Sequence, residues 1–113
     1  MRYQQSAPMS RSEAETSLQS GDVESICETM VSLAFHDPDL EWVQEQCLML
    51  SSHSDPRVRS VAATCLGHLA RIHGNLDLTR VLPCLKALLL DSLTAGYAET
   101  ALSDIRIFVH PLD

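Results

Sequence analysis

Aromatic side chains are scarce in this chain of 113 residues: one Trp, two Tyr and two Phe make up 4% of it. Leu, Val, Ile, Ala, Met and Cys are left to build the core. With only four Gly and five Pro, that diet favours helices over a β-sandwich. Long apolar runs are missing too. Stretches such as residues 87–90 are far too short to cross a bilayer. The N-terminal segment is polar, with Arg2 and Arg11 but no apolar stretch of the kind a secretory signal requires. No Cys-x-x-Cys pair, His-Glu-x-x-His motif or glycine-rich phosphate loop occurs, which removes the common zinc and nucleotide patterns. Cys27, Cys47, Cys65 and Cys84 all fall on apolar helix faces and read as small buried hydrophobes in a reducing, cytoplasmic compartment. His36, His53, His68, His73 and His110 make no ligating arrangement with one another or with a cysteine. No metal site, cofactor or catalytic residue is therefore expected, and the chain is read as a protein other than an enzyme.

What is present is a globular balance, 45% hydrophobic and 20% charged, enough for one domain with a modest core. Net charge is −7, and its distribution is uneven: residues 1–50 hold nine acids against two bases, while residues 51–113 hold six of each. An acidic half repels phosphates and steers basic partners. Arg57, Arg59 and Arg71, with His68 and His73, make a small basic spot, but no aromatics interleave with them for base stacking, so they read as solvated surface.

Helical signals follow one another along the chain. Residues 1–11 lack periodicity and read as a flexible tail, with a single domain over 12–109 and a short tail at 110–113. Ser12-x-x-Glu15 predicts a capping box for a short first helix. Asp22 caps a second, with an apolar stripe of Val23, Ile26, Cys27, Met30, Val31 and Ala34 ending near His36. Asp37-Pro38 signals a third, to about Ser52, striped by Leu40, Val43, Cys47 and Leu50 and carrying Trp42 and Met49 off that stripe. Asp55-Pro56 repeats the cap-then-proline signal, Val58, Val61, Ala62, Cys65, Leu66 and Leu69 follow, and Gly74 is the expected stop. Asn75 and Asp77 start a fifth helix containing Pro83, which predicts a kink or a boundary between two pieces. The last, from about Leu93 to Phe108, is striped by Tyr97, Ala98, Ala101, Leu102 and Ile105. Trp42 is expected to pack between units and Tyr97 to lie in the core.

The stripes superimpose. That of the fourth helix lies 35 residues after that of the second, and a shift of 36 carries its last five members onto the stripe of the sixth and Asp55 onto Asp91. Two helices per roughly 36 residues, three times over, is a helical-hairpin repeat. In the middle unit Asp55-Pro56, Val58-Arg59, Ala62 and Leu66-Gly67 resemble the second helix of a HEAT or armadillo-type repeat. The resemblance implies an all-α, right-handed α-solenoid of about three hairpins and gives Arg59 a structural role in an Asp–Arg ladder between neighbouring units. Glu24 and Ala95 stand where Arg59 does in the flanking units, so one rung is expected.

In such solenoids the second helices line the concave surface. Their residues off the stripe here are Glu24, Glu28 and Ser32, then Thr64, His68 and Arg71, then Glu99, Ser103 and Asp104. Glu24, Glu28, Thr64, His68, Glu99 and Asp104 are the candidate partner-binding residues, and the expected ligand is a basic protein. A small, acidic, helical-repeat chain looks like bacterial immunity proteins that neutralise basic nuclease toxins. The alternatives are a structural adaptor that homodimerises through its end faces and, against the charge, a nucleic-acid-binding HEAT-like protein.

Overall fold

The computed structural model of this chain describes residues 8–109. Of the tails expected over residues 1–11 and 110–113, residues 1–7 and 110–113 lie outside that range. Six helices and no strands occur among the described residues: α1 (Arg11–Leu18), α2 (Val23–His36), α3 (Leu40–Leu50), α4 (Pro56–His73), α5 (Leu78–Leu88) and α6 (Ala95–Phe108).

Side chains that satisfy exposed N–H groups set most of the starts. Asp22, Asp39 and Asp55 accept from the backbone N–H of Ser25, Trp42 and Arg57, which relieves the unpaired donors of a first turn. Two expected caps are displaced. The capping box is Ser10 with Glu13, not Ser12 with Glu15: the Ser10 hydroxyl accepts the Glu13 N–H at 3.1 Å and the Glu13 carboxylate accepts the Ser10 N–H at 3.1 Å. Ser10 and Arg11 thus belong to the folded domain instead of a tail. The third helix is capped by Asp39, while Asp37 closes α2, donating its N–H to the Leu33 carbonyl and accepting the Asp39 N–H at 2.8 Å. Pro38 sits in the link between the two. Gly74 ends α4 at φ 65°, a left-handed conformation that favours glycine. Pro83 does not divide α5, which runs through it as one helix.

Helix α4 is the centre of the molecule, packed against α2, α3, α5 and α6. Its small residues explain how. Ala62, Ala63, Gly67 and Ala70 are buried beside Val58, Cys65, Leu66 and Leu69, so neighbours approach on several sides. A Cβ at Gly67 would lie 3.2 Å from the Ala101 Cα and 2.8 Å from an Asp104 carboxylate oxygen, so a side chain there would make Asp104 swing aside and α6 give way by a few tenths of an ångström. Contacts along α2, α4 and α6 ascend together: Cys27 with Arg57 and Phe35 with His68, then Ser60 with Leu93 and Gly67 with Ala101. The three helices therefore run the same way, side by side. On the other side α3 and α5 pair likewise: Gln44 accepts the Asp77 N–H at 2.7 Å, Arg80 grips Glu45 through two contacts of 2.8 Å, and the Cys84 thiol reaches the Ser51 hydroxyl at 3.1 Å. Arg59 links successive turns, donating to the His53 and Ser54 carbonyls and to Asp91 at 2.8, 3.0 and 3.0 Å.

Burial follows the stripes with two corrections, Ser32 and Tyr97. Ser32, expected on the surface, is buried along with Thr29 and Leu33, because α2 has α1, α3 and α4 around it. Tyr97 leaves the core and is 52% exposed, since its place on α6 is the rim of a groove. Trp42 is half-buried with the Arg11 guanidinium 3.7 Å above its ring, held there by an ion pair to Asp39 at 3.0 Å. Arg11 of α1 thus covers the indole. Cys27, Cys47 and Cys65 are buried thiols and Cys84 is half-buried.

Candidate functional site

The side-by-side run of α2, α4 and α6 leaves a groove of about 950 Å³. Val31, Phe35 and His36 come from the C-terminal half of α2, and Pro56, Arg57, Ser60, Val61, Thr64 and His68 from α4. Leu93, from the turn before α6, and Tyr97 complete the lining. Each helix contributes by its period: Val31 and Phe35 are four apart, and Val61, Thr64 and His68 fall on one row of α4. The lining is apolar for the most part, and Phe35, Leu93 and Tyr97 remain 47%, 62% and 52% exposed.

His68 is a half-buried polar group of this wall. Its ring lies 4.7 Å from that of Phe35, tilted by 40°. Burial holds its imidazole below the usual pKa, the Arg71 charge adds to this, and the Asp104 carboxylate opposes it. The ring is therefore neutral at pH 7 and can both donate and accept a hydrogen bond. Arg57 stands at the rim, its guanidinium 2.9 Å from Asp55.

Of the six residues picked from the sequence, the structure brings Thr64 and His68 into the groove. Glu24 and Glu28 are exposed on α2, on the row that leads at helical spacing to Val31 and Phe35, and lie outside the lining. Asp104 is half-buried against Gly67, two turns past Tyr97 along α6 and outside the lining. Glu99 is exposed, but two residues from Tyr97 it points well around the helix from the groove. Among the described residues no group of three or more His, Cys, Asp and Glu is placed to hold a metal ion, and no helix is long and apolar enough to cross a membrane.

A chain in the crystal structure of a CDI complex from Cupriavidus taiwanensis LMG 19424 is 36% identical to this one, with a TM-score of 0.83 over 96% of this chain and 97% of that one. This chain belongs to the same family as that one. No family model matches it, and no curated protein does.

Phe35, Leu93 and Tyr97 are the exposed large apolar residues of the lining that sequence reasoning missed. A signal for one was available: Phe35 lies seven residues after Glu28 and eleven after Glu24, on the row expected to face outward, where a large aromatic has no reason of packing to be.

Proposed function

We propose that this chain is a non-catalytic immunity-type protein that binds a toxin and blocks it. The observation that carries the reading is the 36% identity, over nearly the full length of both chains, to a chain from a CDI complex. In contact-dependent inhibition a toxin is met by a partner that neutralises it, and a small all-helical chain suits the second role.

The partner is a basic protein on this reading, with a nuclease toxin as the leading candidate. Supporting it is the first half of the chain, where nine acids face two bases, with Glu24 and Glu28 exposed on the same helix row as the groove residues of α2. Opposite fields of this kind speed encounter and disfavour acidic partners. The scaffold is then a short right-handed α-solenoid of HEAT-like hairpins, α1 with α2, α3 with α4 and α5 with α6. The link from Arg59 to Asp91 at 3.0 Å, between successive turns, supports that assignment, Asp91 standing 36 residues after the capping Asp55. Cytoplasmic residence belongs to the same reading and is supported by four cysteines that remain thiols.

Co-expression tests it. Where a toxin gene adjoins this chain's gene, its toxin domain induced alone should arrest growth, and induction with this chain should restore growth and yield a complex that purifies intact. Arrest that persists in the presence of the folded chain overturns the reading.

A further inference from the structure

A bound toxin must be gripped somewhere, and the groove is where three helices leave apolar surface uncovered at one place. Phe35, Leu93 and Tyr97 each expose about half or more of their surface around a floor that includes Val31 and Val61. Large apolar side chains from separate elements that converge on one concavity differ from the single exposed residues scattered over any surface. The tilted His68 ring beside Phe35 gives that wall a polar edge able to take one hydrogen bond. A volume of about 950 Å³ sits near the top of the range of roughly 300–1,000 Å³ over which concave sites enclose ligands. It exceeds one side chain and suits a short stretch of chain.

Charge decides what flanks that stretch. Along α2, Glu28 precedes Val31 by one turn and Glu24 by two, about 5 and 10 Å along the axis at 1.5 Å per residue. Both are exposed, and α2 contains no Lys or Arg. Two carboxylates beside an apolar concavity attract a cationic side chain and repel an anionic one. Arg57, at the rim on the central helix α4, already has a carboxylate at 2.9 Å, so it offers an acidic ligand little in return.

We infer that the groove is the anchor site for the toxin: it receives a short segment that sets an aromatic or long aliphatic side chain between Phe35 and Tyr97 and an arginine or lysine against Glu28 and Glu24. The inference rests on the immunity reading and deepens it, assigning apolar contacts to the grip and acids to the approach. The two parts act on different rates. Truncating an anchor in a desolvated pocket hastens dissociation, whereas removing surface charge slows association.

Binding kinetics with the toxin domain that this chain neutralises in the co-expression test, at low and high salt, separate them. Phe35→Ala and Tyr97→Ala should each raise the dissociation rate about tenfold or more, with association and melting temperature nearly unchanged because both rings are half exposed. Glu24→Lys combined with Glu28→Lys should slow association about tenfold at low salt, a gap that closes at high salt. Leu90→Ala, at a side chain 88% exposed and outside the groove, should alter neither rate. A wild-type chain that fails to bind the toxin domain overturns the immunity reading and this inference with it. Wild-type binding with unchanged dissociation in both anchor variants overturns the anchor site alone. Charge reversal that leaves association untouched overturns the basic flank. Sedimentation showing a dimer that Phe35→Ala disperses would give the groove to a second copy of the chain and overturn the assignment to the toxin.

Discussion

Asp55 shows how much one side chain can fix. Its carboxylate accepts the Arg57 N–H at 2.8 Å and meets the Arg57 guanidinium at 3.2 and 2.9 Å, so it caps α4 and holds the arginine of the same turn. The Arg57 side chain and then its backbone N–H pull the Asp55 pKa down to about 2. A folded-state value below the unfolded one, about 3.9, means stabilisation that is complete above the unfolded value and lost as pH falls through the folded one. Asp55→Ala should therefore lower the melting temperature by about 4 °C at neutral pH, the size expected for a lost cap in a domain of this length. The deficit should shrink between pH 4 and pH 2 as the wild-type carboxylate takes up its proton. Asp55→Asn, which keeps an acceptor for the cap, should fall between the two proteins. Thermal melts followed by circular dichroism across that range check the prediction, and a deficit that stays constant with pH would mean that the charge contributes nothing.

At the scale of elements, the turns are held by Arg59. Its guanidinium takes the His53 and Ser54 carbonyls of the turn before α4 and the Asp91 carboxylate of the turn before α6. One side chain of the central helix thus sets where the start of α6 sits against α4. Arg59→Met keeps the aliphatic packing and removes all three bonds. It should cost about 2 kcal/mol, since carbonyls in a half-buried turn lose charge-assisted donors. Asp91→Asn should cost less, because both carbonyl bonds survive, and Arg59→Lys should fail to rescue, a single ammonium being unable to span the fork. Urea unfolding of the three variants checks the order.

The same scale shows what was legible beforehand. Asp55-Pro56 and Gly74 could be read directly, because a cap, a proline at the first helical position and a left-handed glycine each act within a few residues. The starts at Ser10 and Asp39 were misplaced because the sequence holds two Ser-x-x-Glu boxes, Ser10 with Glu13 and Ser12 with Glu15, and two candidate caps around Pro38. Choosing between such neighbours depends on what the helix reaches, here Asp39 and Trp42 for Arg11. The site was half visible. Thr64 and His68 followed from the row that faces away from the core, but Tyr97 sits on an apolar stripe, and periodicity alone cannot tell a stripe covered by another helix from one left open at a groove.

For the whole molecule the question is whether it opens as one unit, and the four thiols are placed to answer it. Cys27, Cys47, Cys65 and Cys84 lie one each on α2, α3, α4 and α5. Contact with Cys47, and then burial, push the Cys65 thiol well above its ordinary pKa, and Cys27 adds to the effect, so three of the four meet around α4. Because α4 packs on α2, α3, α5 and α6, it cannot leave without uncovering all of them, and the hairpins should not peel away singly. Under native conditions a thiol reagent should modify half-buried Cys84 first. Cys27, Cys47 and Cys65 should follow at one shared rate slower by at least about a thousandfold, since reaction there waits for global opening. Quenched labelling with mass spectrometry reads each site separately. Faster reaction at Cys27 than at Cys65 would show the first hairpin detaching alone. A ligand seated across α2, α4 and α6 should then slow all three core sites by the same factor, one plus the ratio of its free concentration to its Kd. Protection confined to Cys27 would place that ligand on the first hairpin and off the groove.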